Sequence, residues 1–178
     1  MQSYIDFAAR NGVVLDDVGP CKFCGAPLDR SVHECIEIFE LGSGGLDLTS
    51  PQDHAFRFFI VDAHALQHPE LHGRWSNHFH LARLVAVLDE DVVWGYRDSP
   101  KLSAALDIHK ADVPHERLVP PRLGQRGTHT VSDVRAIRDD EAACKTEIRA
   151  WARSVHTAWA SEHERVLPVV RRFLAMRF

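Results

Sequence analysis

The constraint that most limits how this chain can fold is Cys21-Lys22-Phe23-Cys24-Gly25, with Cys35 eleven residues beyond Cys24. Two thiolates spaced C-x2-C can grip one tetrahedral ion from a single tight turn. A glycine after the second cysteine lets the backbone wrap so that amide hydrogens point at sulfur. Cys35 is near enough to supply a third sulfur. The fourth ligand is not evident locally. His33 is close but sits only two residues before Cys35, and a histidine from elsewhere in the chain can complete the set. Zinc is the cofactor this pattern suggests. The alternative, three reduced cysteines packed as small apolar side chains, stays open at this level.

Two other cysteine chemistries fit less well. Nothing before Cys21 reads as the buried strand of a thioredoxin-like redox unit. A zinc deaminase needs a ligand-x-Glu element ahead of Pro-Cys-x-x-Cys, and none precedes Pro20-Cys21. The start of the chain carries no basic region followed by an apolar stretch, so the expected location is cytoplasmic. Thiols stay reduced there, which favours ligands or core residues over disulfides.

Beyond the cysteines the pattern is mainly α: an irregular helical bundle with an N-terminal zinc-knuckle-like cysteine loop. The 178 residues suit a single domain, with 1–45 as the N-terminal segment carrying the cysteine loop and 46–178 as the helical body. A first short helix is expected from Ser3 to Arg10, ended by Asn11-Gly12, and Cys21 to Cys35 as a compact loop. Leu41-Gly42-Ser43-Gly44-Gly45 reads as a connector. Ser50-Pro51 starts a helix that runs to about Gln67 and stops before Pro69. A second, apolar nearly all round, spans Ser76 to Leu88 and should bury His80. Asp98-Ser99-Pro100 opens a helix ending near Ile108. Pro114, Pro120 and Pro121 make the next stretch extended. Thr130 or Ser132 caps a short helix carrying Val131, Val134 and Ile137. A long helix from about Asp139 to Leu167 sets Trp151, Val155, Ala158, Trp159, Glu162 and Val166 on one face, with Pro168 kinking it or opening a final helix.

The formal net charge of −4 argues against nucleic acid as the main partner. No apolar run approaches the roughly 20 residues that span a bilayer. A small molecule or a protein partner remains open, and oligomeric state is not legible.

Twelve histidines are many for this length. His64 and His68 lie at i, i+4 and share a helix face, but His64-Ala65-Leu66-Gln67-His68 lacks the glutamate base of H-E-x-x-H metalloproteases. Asp62, on the same helix, can orient an imidazole or bind metal itself. His78 and His80 point in nearly opposite directions. His163 follows Trp159 by four, at the edge of the apolar face. The bland reading of His68, His80 and His163 is that of hydrogen-bonded core histidines, and that of Trp151 and Trp159 is core.

Several segments in order, Cys21-x-x-Cys24-Gly25-Ala26, Cys35, Val61-Asp62-Ala63, Gln67-His68-Pro69 and His80-Leu81, resemble domain-of-unknown-function family 5946, a bacterial group. Val119-Pro120-Pro121, Thr130 to Val134, Trp151 to Val155 and Ala158 to His163 are similar to it too, so the resemblance covers roughly residues 20–172. It implies no reaction and no catalytic residue. It does imply histidine at His68, His80 and His163, and tyrosine where His64 stands. The family's histidine shortly before Val-Asp-Ala has no counterpart here, where the nearest residues are His54 and Arg57.

Three functional readings follow. In the first, the chain is a metal-dependent enzyme that activates water or substrate on a His68/His80/His163 site, with Asp62 as a further catalytic candidate. In the second, the cysteine knuckle is structural and the helical body binds a partner or small molecule. In the third, Cys21, Cys24 and Cys35 join one helical histidine, His68 or His80, in a closed zinc site that staples the N-terminal segment to the bundle.

Overall fold

The computed structural model describes residues 2–16, 18–41, 54–112 and 117–177. Within them the chain forms eight α-helices, joined by two short 3-10 turns: α1 (Gln2–Arg10), α2 (Ser31–Leu41), α3 (His54–Gln67), α4 (Arg74–Leu88), α5 (Asp98–Asp112), α6 (Val131–Ala136), α7 (Glu141–Ala158) and α8 (His163–Ala175). It is a mainly α, irregular helical bundle with a cysteine loop near its N-terminus. The glycine-rich connector beyond Leu41, the Ser50-Pro51 helix start and Pro114 lie outside the described residues. No described helix is long and apolar enough to cross a membrane.

The apolar periodicities place the helices. α3 packs on α7 and α4, and α8 packs on α4 and α5. α4 contributes Leu81, Ala82, Leu84, Val85 and Ala86, all fully buried, as expected of a helix without a polar face. Thr130 caps α6: its hydroxyl accepts from the Ser132 amide, and its own amide donates to the Asp133 carboxylate, a reciprocal pairing that satisfies two free donors. Cys21, Phe23, Cys24 and Cys35 belong to the same continuous core as Trp151 and Phe173, so the cysteine loop is packed into the bundle.

Four expectations need correction. Cys35 does not end a loop: it sits in α2, a helix the sequence reading did not anticipate, with Val32, Ile36 and Ile38 buried beside it. The long C-terminal helix breaks at Trp159, nine residues ahead of Pro168, and the proline lies inside α8. The 3-10 turn Ala160–Glu162 makes the bend. α5 runs past Ile108 to Asp112. His80, expected inside, is only partly covered, with its side chain 13% exposed.

Candidate metal centre

The first two ligand candidates come from a knuckle. Gly25 donates its amide to the Cys21 carbonyl (2.7 Å) and Cys21 donates to the Ala26 carbonyl (2.9 Å), which folds the intervening residues into a tight turn. Gly25 takes a φ of 78°, a left-handed conformation that costs other residues about 1–2 kcal/mol. Cys35 is brought in by α2, whose start is clamped to the knuckle. The Ser31 amide donates to the Gly19 carbonyl at 2.8 Å, and its hydroxyl donates to the Pro20 carbonyl at 3.1 Å. The Glu34 carboxylate accepts the amides of Asp29 and Arg30, at 3.0 and 3.1 Å, and so meets donors that a helix start leaves free.

The fourth group comes from the far end of α3. His68 follows its last residue, Gln67, and Pro69 prevents the helix from continuing. The His68 Nδ1–H donates to the His64 carbonyl at 2.7 Å. That bond fixes the ring and turns Nε2 toward the sulfurs. Nε2 lies 3.3 Å from Cys21 Sγ and 3.4 Å from Cys35 Sγ, and Cys24 Sγ lies 3.8 Å from Cys35 Sγ. The four atoms are all within 4.8 Å of one another, and all four residues are buried.

The donor set fits a metal. Bond lengths of about 2.3 Å to sulfur and 2.0–2.1 Å to nitrogen give tetrahedral edges of roughly 3.5–3.8 Å, within a few tenths of the contacts above. None of the cysteines is in a disulfide. Contacts with Cys24, Cys35 and His68 hold the Cys21 thiol far below the usual range. Cys35, facing Cys21 and Cys24 out of water, is pushed up. Burial alone would lower the His68 imidazole, but the Cys21 and Cys24 sulfurs raise it to about 10. A metal ion held by these four groups would take the place of the proton on His68 Nε2 and balance the thiolate charge.

The body of the protein holds His68 in place through the end of α3. Trp151 Nε1 donates to Gln67 Oε1 (2.9 Å), and Trp159 Nε1 donates to the Leu66 carbonyl (3.1 Å). Arg126 donates to the Gln67 carbonyl (3.0 Å) and forms a two-pronged ion pair with Glu70. The terminal carbonyls of a helix need such partners. Both tryptophans are core residues as expected, and each also has a polar task. Phe23 of the knuckle lies edge-on to His68, with ring centres 5.6 Å apart.

The remaining candidates lie elsewhere. His64 shares the face of His68, stacked against it at 4.1 Å and against Phe39 at 4.0 Å. Its Nε2 is 3.8 Å from Cys35 Sγ, outside the four-atom set. Complete burial, reinforced by His68, keeps the His64 imidazole neutral. His33 lies in α2 outside the set. His80 meets Asp62 at 2.7 Å instead of the sulfurs. Asp62 is buried, and both its oxygens are taken by Arg83, with contacts of 2.5 to 3.1 Å. His163 packs against His156, with ring centres 4.2 Å apart, beside Asp89. Among the described residues, the ligand atoms of His68, His80 and His163 do not form one cluster. Sequence reasoning missed His156 and Asp89, which carry no local motif.

Residues 19–160 match the model of a family of unknown function, DUF5946. No curated protein and no solved structure matches the chain. The matched span contains all four members of the cysteine–histidine cluster, together with Asp62, His80, Trp151 and Trp159. The chain belongs to the DUF5946 family.

Proposed function

We propose that this protein binds one zinc ion through Cys21, Cys24, Cys35 and His68, and that the ion is structural. The observation that carries this reading is the buried set of three sulfurs and one imidazole nitrogen, mutually within 4.8 Å. Four protein ligands close a tetrahedral shell and leave no position for water or substrate, which separates structural from catalytic zinc. The ligands come from the knuckle, from α2 and from the end of α3, so the ion ties the N-terminal segment to the helical body. Reduced thiols at such a site suit a cytoplasmic protein. His80, hydrogen-bonded to Asp62, supports that carboxylate and is not a ligand.

Cobalt substitution and elemental analysis test the proposal. Wild-type protein should carry zinc, and cobalt in its place should give intense thiolate-to-metal charge-transfer bands with tetrahedral d–d bands. Cys21→Ser and His68→Ala should weaken or abolish these bands, and His80→Ala should keep them. A wild-type protein that takes up cobalt with no thiolate signature overturns the reading, as does an unchanged spectrum in Cys21→Ser.

A further inference from the structure

A second group of metal-ligating side chains lies where three helices meet, away from the cysteines. Asp89 caps the C-terminus of α4, His156 is in the last turn of α7, and His163 is the first residue of α8. Oδ2 of Asp89 lies 3.0 Å from His156 Nε2 and 3.9 Å from His163 Nδ1. One ligand atom from each residue falls within 4.8 Å of the other two. The bend at Trp159 makes this possible, because a continuous helix would carry His163 nearly two turns beyond His156.

The decisive detail is the orientation of His163. Its Nε2–H donates to the His156 carbonyl at 3.1 Å. This is the backbone bond that fixes the tautomer of metal-binding histidines. It leaves the Nδ1 lone pair facing a carboxylate oxygen at 3.9 Å, too far for a hydrogen bond. Two acceptors face each other, and a cation is what both can share.

We infer that Asp89, His156 and His163 form a second, solvent-facing site for a divalent first-row transition metal. Asp89 remains 42% exposed and each imidazole 17%. Three protein ligands on one side leave coordination positions open to water or a small anionic ligand, as in catalytic metal sites. His156 enters as its Nδ1–H tautomer, exchanging its hydrogen bond to Asp89 for a bond to the ion. Nitrogen and oxygen donors suit zinc, cobalt, nickel or ferrous iron, all more exchangeable here than in the buried thiolate cluster.

The test is a cobalt titration of zinc-loaded full-length protein, read by visible absorption and by paramagnetic broadening of imidazole resonances. We expect a further equivalent of cobalt with weak d–d bands and no thiolate charge transfer, broadening His156 and His163. His163→Gln and Asp89→Asn, checked for an unchanged thermal melt, should each weaken it at least about tenfold, whereas Cys21→Ser should retain it. Absence of a thiolate-free equivalent in the wild type overturns the inference. So does wild-type affinity in either variant, which reveals adventitious surface binding. Neither result bears on the cysteine cluster, whose signature is the charge-transfer band.

Discussion

The indole of Trp151 donates to the side-chain oxygen of Gln67 across 2.9 Å of otherwise apolar core. The same amide donates through Nε2 to the His129 carbonyl at 2.9 Å. Gln67 thus satisfies one element as an acceptor and another as a donor, one residue before His68. Gln67→Leu strands both partners in the core, and each lost bond costs about 1–3 kcal/mol. We expect a loss of about 2–4 kcal/mol in urea denaturation. Trp151→Phe should cost less in the Gln67→Leu background than alone, the sign of a shared interaction.

Asp62 joins α3 to α4 through Arg83 and His80. The Arg83 guanidinium is itself buried, against the ring faces of Phe58 and Phe79 at 4.4 and 4.9 Å. Removing the carboxylate leaves that cation without its partner, a change that costs about 3–5 kcal/mol. Asp62→Ala should therefore lower thermal stability sharply. Replacing Asp62 and Arg83 together with apolar residues should recover much of the loss. A variant that keeps its melting temperature would show that the pair is not what holds α3 to α4.

Two glycines separate backbone strain from crowding. At Gly25 an added Cβ meets nothing within 4 Å, so Gly25→Ala pays only for the left-handed backbone, about 1–2 kcal/mol. At Gly127, with φ of 123°, the same atom would sit 2.8 Å from Ser154 Oγ and 3.2 Å from the Val155 amide nitrogen of α7. Gly127→Ala should cost about 2–4 kcal/mol, combining strain with overpacking. Calorimetric melts of the two variants should rank in that order.

Glu34 gives a pH signature. Hydrogen bonds from the Arg30 and Asp29 amides hold its carboxyl below the ordinary value of 4.5. A depressed folded-state pKa adds stability that is full above the unfolded value and disappears as the pH falls through the folded one. Wild type should melt higher than Glu34→Gln at neutral pH, and the gap should close below about pH 4. A gap independent of pH would assign the difference to something other than the carboxylate charge.

The parts legible in the sequence were those carried by local spacing or by ordered resemblance. Cys21 and Cys24 announce a turn by themselves, and Thr130 or Ser132 marks the start of a short helix. His68 was one of several histidines at first. Its selection depends on the Nδ1 bond to the His64 carbonyl, a consequence of where α3 ends. α2 is not legible locally because its opening depends on contacts with Gly19 and Pro20 across the knuckle, whereas the cysteine spacing alone suggests a loop. Pro168 is the visible helix breaker in the sequence, so the sequence points to it for the break or kink before the last helix. The actual bend at Trp159 coincides with its indole bond to the Leu66 carbonyl, a partner 93 positions away. The Asp89–His156 contact spans 67 positions and leaves no periodic trace.

The separation between Cys21 and His68 is 47 positions. An ion gripping both, together with Cys24 and Cys35, needs all four brought together, a geometry that the denatured chain does not offer. Losing order therefore means losing the ion, and its binding free energy is added to that of folding. Chelation should then leave the native far-UV spectrum nearly intact at low temperature while bringing forward the temperature at which order is lost.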